Sequence, residues 1–407
     1  MNQIITPSPN PIAPTSTRIV LTDALQAMTV RTPESTPQQW YLDRIQAPIL
    51  DNLAIPPVRV AIIDTGVDTT HPDLVNQIVE TRNIFDESTM NDIQGHGTHT
   101  AGIIAATHNL TTNTRGICAT CQIIAIKAIN DDGYGSDVTV AQGIDNAINA
   151  GAKVINLSIG SIHDAPAIKA AIERALAADI IVVAAAGNNE KSPGEEVFPA
   201  AYPGVLAVSA VDQNNRIASF AQDNPGIDLV APGVEIVSTS PHGDGYSIEQ
   251  GTSTAAPQVT ATAAIVRALR PELSAQQTQE LILVHTEDLG NPGYDPIYGH
   301  GLLRVESVIN AVQQADVTQK GYIRGRIIGA DTLDITLELN KQPLPLDPND
   351  QFRHVNLAAG SHTLDIIYAD QRLPVTFDVT GIGLFVTDIS IWVRNGTITP
   401  IVSEQLP

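Results

Sequence analysis

The chain has 407 residues, 43 % of them apolar and 16 % charged, with 22 Lys and Arg against 44 Asp and Glu and a formal net charge of −22. That much apolar sequence supports at least one sizeable core and excludes wholesale disorder. The negative excess excludes a general nucleic-acid binder, and an anionic membrane surface would repel it. Two cysteines cannot frame a disulfide scaffold, and no apolar run reaches the roughly 18 residues that span a bilayer.

Residues 1–35 read as a flexible N-terminal extension. Pro7, Pro9, Pro11, Pro14 and Pro33 break any helix, and the apolar patch Ile19 to Leu21 is too short for a core. The segment has neither the basic start nor the apolar middle of a signal peptide. Gln39 to Ile45 is a compact amphipathic piece, and from Val58 a new pattern sets in. Short apolar runs (Val58 to Ile63, Cys121 to Ala128, Val154 to Ile159, Ile180 to Ala186, Val205 to Val211) predict buried strands. Between and after them, Val138 to Ala150, Pro166 to Ala178, Ser253 to Leu269 and Ser274 to Val284 carry apolar residues at three and four spacing and predict helices. Such alternation predicts an α/β fold with a mainly parallel sheet and helices on both faces over 36–315.

After Thr318 the helical period disappears. Seven strand-like segments between Tyr322 and Val402, separated by turn residues, predict a small β-sandwich over 318–407. Tyr322, Tyr368, Phe377, Phe385 and Trp392 read as core residues of that unit and not as ligand platforms. No motif gives it a role: holding substrate, docking a partner and stabilising the rest of the chain stay open.

Three segments carry chemistry. Asp64 ends the apolar strand Ile62-Ile63-Asp64-Thr65-Gly66, where sites form in open parallel sheets, although a strand-terminal Asp also makes turns. His96, in Gly95-His96-Gly97-Thr98-His99-Thr100-Ala101-Gly102, sits at the mouth of a helix whose small residues permit close packing. Reading His96 and His99 as metal ligands fails for want of further ligands. Ser253, in Gly251-Thr252-Ser253-Thr254-Ala255-Ala256-Pro257, enters a helix, where it is either an N-cap or a nucleophile whose neighbouring N–H groups face a developing oxyanion.

The order Asp, His, Ser, together with these three segments and His71-Pro72-Asp73-Leu74, resembles the subtilisin-like (subtilase) serine peptidases over about Gln39 to Val312. The resemblance implies a subtilisin-like three-layer fold and a serine endopeptidase that works through an acyl-enzyme. Ser253 would attack, His96 would move the proton, and Asp64 would orient the imidazole. Asn188, in Ala184-Ala185-Ala186-Gly187-Asn188, would donate to the oxyanion with the Ser253 N–H. Substrate would lie as an extended strand between Gly133-Tyr134-Gly135 and Ser158-Ile159-Gly160. The pocket for the side chain before the cut (P1) would use Ala185, Gly187 and Val197. Many members have Gly where Val197 stands, so the pocket here would be shallower. Glu190, Glu195 and Glu196 suit either a basic P1 residue or a plain exposed loop.

The resemblance also implies a structural calcium near Asp73 and Asn109, although the family's further ligand is replaced by Thr36. The chemistry itself needs no cofactor, and the chain is expected to act as a monomer. Cys118 and Cys121 form either a local disulfide or free thiols. At about 35 residues the extension is shorter than the family's usual folded, inhibitory pro-domain.

Overall fold

A computed structural model describes residues 18–21, 38–85, 90–109, 111–188, 196–222, 226–241, 245–291, 294–313, 321–328, 335–344, 351–357, 360–368, 371–379, 385–394 and 397–405. Seven strands form its central sheet: β2 (Val58–Asp64), β3 (Ile78–Asn83), β4 (Cys121–Lys127), β6 (Val154–Leu157), β8 (Ile181–Ala185), β9 (Val205–Val211) and β10 (Leu229–Pro232), in the order β10-β9-β8-β6-β2-β4-β3. Every neighbouring pair is parallel.

The strands read as near-continuous apolar runs because both faces are covered. Alternate residues go to opposite sides. In β2, Val58, Val60 and Ile62 join a core with α2 (His96–Ala105), α5 (Thr252–Leu269), α6 (Ala275–Val284) and α7 (Val305–Gln313). Ala61 and Ile63 join a second core with α3 (Asp137–Asn149) and α4 (Pro166–Ala177). Each predicted strand and helix of this region is present, with ends displaced by a residue or two. The run Val154 to Ile159 splits into β6 and the short β7 (Ile159–Gly160). The pattern did not predict β3, whose half-exposed Ile78-Val79-Glu80-Thr81-Arg82-Asn83 is an edge strand.

Parallel order places the carboxyl ends of β2, β6 and β8 side by side, so Asp64, Ser158 and Asn188 emerge on one rim. Two helices then approach that rim by their N-termini. Helix α2 lies so close to its neighbours that a Cβ at Gly97 would stand 2.0 Å from the Gly66 carbonyl oxygen. One at Gly102 would stand 2.2 Å from Thr239 Oγ1 and 2.3 Å from Ser238 Oγ. Those two hydroxyls, on β11 (Ile236–Thr239), donate to the carbonyls of Thr98 and His99 at 2.7 Å each. Helix α5 crosses the sheet beneath β2, β6, β8 and β9 and packs against α2.

The sequence pattern understated the N-terminal patch. Arg18–Leu21 forms β1, antiparallel to both β5 (Tyr134–Ser136) and β7, and Ile19 is wholly buried in the second core. Four residues cannot make a core, but they can enter one that other elements supply. The rest of 1–35, with its prolines, lies outside the described residues apart from these four.

Beyond α7 come two four-stranded sheets: one in the order β16 (Gln351–Leu357), β13 (Gly321–Ile328), β19 (Phe385–Arg394), β20 (Thr397–Gln405), the other in the order β15 (Gln342–Leu344), β14 (Ile335–Leu339), β17 (Gly360–Tyr368), β18 (Gln371–Val379). Pairing is antiparallel except for β13 (Gly321–Ile328) with β19 (Phe385–Arg394). Ile323 and Ile391 from one sheet share a core with Leu337, Leu364, Ile366 and Phe377 from the other, as a sandwich requires. The eighth, unpredicted strand is Gln342–Leu344, which follows a two-residue hairpin turn at Asn340 and Lys341, both at positive φ. Phe377 is a core residue as expected; the side chains of Tyr322, Tyr368, Phe385 and Trp392 lie outside the described residues.

Because backbone as well as side chain stands where a methyl at Gly102 would go, Gly102→Ala is expected to destabilise the fold by about 1–3 kcal/mol, seen as a lowered denaturant midpoint with an unchanged slope.

Candidate active site

Asp64 is fully buried at the end of β2. Its Oδ1 accepts the Thr65 amide at 2.7 Å, which fixes the carboxylate plane. His96 Nδ1–H donates to Oδ1 and Oδ2 at 2.8 and 2.9 Å. The second ring nitrogen, Nε2, is thereby left as the basic one. The sequence brought these two residues together across 32 positions, and the structure pairs them.

Two residues that the sequence analysis missed hold this pair in place. Helix α2 begins at Gly95, at φ 96° and without a side chain to cap it. Asp92 supplies the cap from upstream: Oδ1 accepts the Gly95 amide at 2.8 Å and the Thr65 hydroxyl at 2.7 Å, and Oδ2 accepts the Thr98 amide at 2.7 Å and its hydroxyl at 2.6 Å. Thr65 Oγ1 in turn accepts the Gly97 amide at 3.0 Å. One carboxylate therefore ties the residue after Asp64 to the first turn that carries His96. Burial pushes the Asp92 carboxyl above its ordinary range despite these donors. Its signal was present as an Asp three residues before a helix-opening glycine. The second residue, Lys127, is buried at the end of β4. Its ammonium donates to the Thr65 carbonyl at 2.8 Å, the Asn91 carbonyl at 3.3 Å and Asp131 at 2.5 Å.

Ser253 is the second residue of α5, so it is not the cap; Gly251 holds that position. The missing cap comes from Asn188, whose Oδ1 accepts the Thr252 amide and hydroxyl, both at 2.9 Å. With Oδ1 so anchored, the Nδ2 end of Asn188 is directed away from Thr252. Pro257 sits inside the helix and has no N–H to offer the carbonyl four residues earlier, which is that of Ser253. Ser158 fills the gap: its hydroxyl donates to the Ser253 carbonyl at 2.9 Å. Asn156 Nδ2 donates to Ser158 Oγ at 2.9 Å, and Thr260 donates to Asn156 Oδ1 at 2.8 Å. This wholly buried network locks the turn that carries Ser253.

The residues expected to wall a groove fall on short strands and the turns beside them. Tyr134 and Gly135 lie on β5, Ile159 and Gly160 on β7, and Gly133 turns the chain into β5 at φ 81°. Ala185 ends β8, buried. Val197 packs on Gly187, where an added Cβ would meet Val197 Cγ2 at 2.8 Å. Glu196 is exposed; Glu190 and Glu195 lie outside the described residues.

His99 is a neutral core residue. Its Nε2–H donates to the Ile236 carbonyl at 3.1 Å, and burial, with the neighbouring His96, lowers its pKa to about 3. Cys118 and Cys121 are joined in a disulfide across the turn before β4.

Asp73 and Asn109 do meet, as partners of one another. Asn109 Nδ2 donates to Asp73 Oδ1 at 3.3 Å, and the Tyr246 hydroxyl donates to Asp73 Oδ2. Asn109 Oδ1 accepts the amides of Thr111 and Thr112 at 3.0 and 3.2 Å. Calcium wants six to eight oxygens, whereas these three face protein donors, and no cluster of three His, Cys, Asp or Glu fit for a metal occurs among the described residues. As placed, the donor set does not fit a calcium ion. Thr36 lies outside the described residues.

With this geometry in view, the comparisons are decisive. The subtilase family model matches residues 57–301. The chain belongs to the subtilase family. It is 38 % identical over 270 residues to subtilisin Savinase of Lederbergia lenta, covering 66 % of this chain and 97 % of that protein. M-protease of Shouchella clausii (strain KSM-K16) is also 38 % identical over 270 residues, 66 % of this chain and 69 % of that protein. Subtilisin DY of Bacillus licheniformis is 39 % identical over 252 residues, 61 % of this chain and 90 % of that protein. This subtilase is thus a serine endopeptidase acting on polypeptides, and among the described residues no helix is long and apolar enough to cross a membrane. The strands from Gly321 onward lie outside the matched residues.

Asp92→Ala would strand the Gly95 and Thr98 amides and the Thr65 hydroxyl; a loss of about 2–4 kcal/mol is expected, read by thermal unfolding. Folded His99 takes a proton only near pH 3, whereas the unfolded chain takes one near 6.5. Its contribution is therefore complete above pH 6.5 and is lost as the pH falls through that window. The unfolding midpoint of the wild type should drop more steeply between pH 6.5 and 4 than that of His99→Gln.

Proposed function

We propose that Ser253, His96 and Asp64 are the catalytic residues of this endopeptidase and that Asn188 completes its oxyanion hole. The observation that carries the reading is the paired Asp64 and His96 on the same rim as the locked first turn of α5. Ser253 Oγ attacks the scissile carbonyl carbon while His96 Nε2 takes the hydroxyl proton. Asp64, held by the Thr65 amide, keeps the imidazole in the right tautomer and stabilises its cation. The tetrahedral oxyanion accepts from Asn188 Nδ2 and the Ser253 amide. As it collapses, the C–N bond breaks and His96 gives its proton to the leaving amine, which leaves an ester on Ser253. Water, deprotonated by His96, attacks that ester. The acid product departs and the serine regains its proton. These residues account for every proton and charge in the sequence, so the chemistry calls for no cofactor.

The substrate is proposed to lie as an extended strand between β5 and β7, whose facing edges offer backbone groups to a chain of any sequence. The Val197 side chain, stacked on Gly187, supports a shallow P1 pocket suited to small or medium side chains. Asp64, His96, Asn188 and Ser253 all come from one chain, which supports a monomer as the working unit. The division proposed is an extension over 1–35, a peptidase unit over 36–315 and a β-unit over 318–407.

Hydrolysis of a fluorogenic peptide by the full chain and its variants tests the reading. Ser253→Ala is expected to abolish turnover with the fold intact. Asn188→Ala should lower kcat by about a hundred- to thousandfold with KM little changed. Activity should rise with pH as His96 loses its proton, from neutral into alkaline conditions. A maximum near pH 4, or normal turnover by Ser253→Ala, would refute the assignment.

A further inference from the structure

We propose that Lys127 and Asp131 are positioning residues of the site: the buried Lys127 ammonium brings its charge to the turn that follows Asp64 and sets the pH at which His96 becomes a base, and Asp131 moderates that charge. The inference rests on the reading of His96 as the base of this endopeptidase.

Lys127 stands beside Asp64. The two are register partners at the carboxyl ends of β4 and β2. The amides of Ala128 and Ile129, which follow Lys127, donate to the Asp64 carbonyl at 2.9 and 3.1 Å. The lysine stem runs under Gly66, where an added Cβ would stand 3.5 Å from its Cδ. Only 1 % of the residue is exposed. An ammonium has three protons to place, and three acceptors meet them: the carbonyls of Thr65 and Asn91 and the carboxylate of Asp131. Thr65 is also the residue whose amide binds the Asp64 carboxylate. A single residue therefore links the buried cation to the anion that holds His96.

Joining two carbonyls needs no net charge; a neutral donor would do. A charge in a buried place acts further, because little water screens it. The sign follows from the charge. A cation close to the pair disfavours the imidazolium, so His96 gives up its proton at a lower pH than it would beside Asp64 alone. Asp131, whose side chain is 36 % exposed, opposes this with a negative charge. The other charges around His96 do not take over this role. Asp64 and Asp92, both buried, pull the other way. His99 on the same helix is neutral, and Glu249 lies 3.8 Å beyond it. Among the elements packed on α2, β11 bears no charge. Arg59 of β2 and Arg267 of α5 sit at the far ends of their elements, bound to the Ala150 carbonyl and to Asp179. Asp68, after β2, turns its carboxylate to Thr70. Lys127 is therefore the cation that offsets the carboxylates behind His96.

The test follows hydrolysis of an uncharged fluorogenic peptide against pH by the full wild-type chain, Lys127→Met and Asp131→Asn. The acid limb of kcat/KM is read, because it reports the base of the free enzyme. Methionine keeps the apolar stem and drops the charge, so the limb should move up by about half to one pH unit. Asparagine removes the opposing charge, so the limb should move down by about a quarter to half a unit. A purely structural role would lower the activity of both variants without moving their limbs in opposite directions. If Lys127→Met fails to fold by circular dichroism, Asp131→Asn, at a partly exposed carboxylate, decides alone by its downward shift. Limbs that coincide with the wild type, or that move the same way, would overturn the tuning and leave the catalytic reading standing. Absence of hydrolysis by every folded chain, wild type included, would overturn both.

Discussion

The site depends on one hydrogen-bonded contact, the imidazole of His96 against the buried carboxylate of Asp64. A carboxylate at a dry strand end is costly unless donors meet it, and the Thr65 amide and His96 Nδ1 are those donors. The contact requires α2 to start within hydrogen-bonding reach of β2, and most of the nearby sequence serves that requirement. Gly97 leaves room for the Gly66 carbonyl, Asp92 binds both elements, and Lys127 holds the Thr65 carbonyl from the neighbouring strand. Each is a structural cost of bringing a carboxylate and its imidazole partner to a buried rim.

The turn that carries Ser253, the proposed nucleophile, is held by a different device. Proline within α5 would normally weaken the helix, because it removes one intrahelical bond. Here the freed carbonyl is that of Ser253, and the Ser158 hydroxyl, itself held by Asn156, takes the place of the missing N–H. Since Ser158 also precedes β7, the proposed groove wall, the first turn of α5 and that wall are joined by a few buried bonds. A shift in one would move the other, so under the proposed reading the seating of a peptide and the position of Ser253 are coupled.

Much of this was legible in the sequence, for identifiable reasons. Buried parallel strands must be apolar on both faces, so β2, β4, β6, β8 and β9 announced themselves, and the polar residues at their ends were conspicuous by contrast. Asp64, His96, Asn188 and Ser253 stood out as candidates because the proposed chemistry demands particular residue types in particular surroundings. The supporting residues were harder to see. Asp92 acts through amides and hydroxyls around it and showed only as an Asp three residues before a glycine, and nothing in the local sequence of Lys127 distinguishes it from a surface charge. The importance of Pro257 appears only when its missing bond is traced to Ser253. Short or edge strands such as β3 and Gln342–Leu344 lack the apolar content that periodicity detects. The patch at Ile19 was undervalued because burial was sought within the segment itself, whereas it comes from β5 and β7. Asp73 and Asn109 were correctly brought together, but their contact is with each other and with Tyr246.

The account's central claim is that His96 makes Ser253 a nucleophile. A small fluorophosphonate, applied at saturating concentration to the full folded chain and located by peptide mass mapping, reads that claim directly. A single adduct on Ser253 is predicted, formed far more slowly in His96→Ala although that variant is folded. An unmodified Ser253 in folded protein after prolonged exposure, or labelling that proceeds equally well without the imidazole, would contradict it.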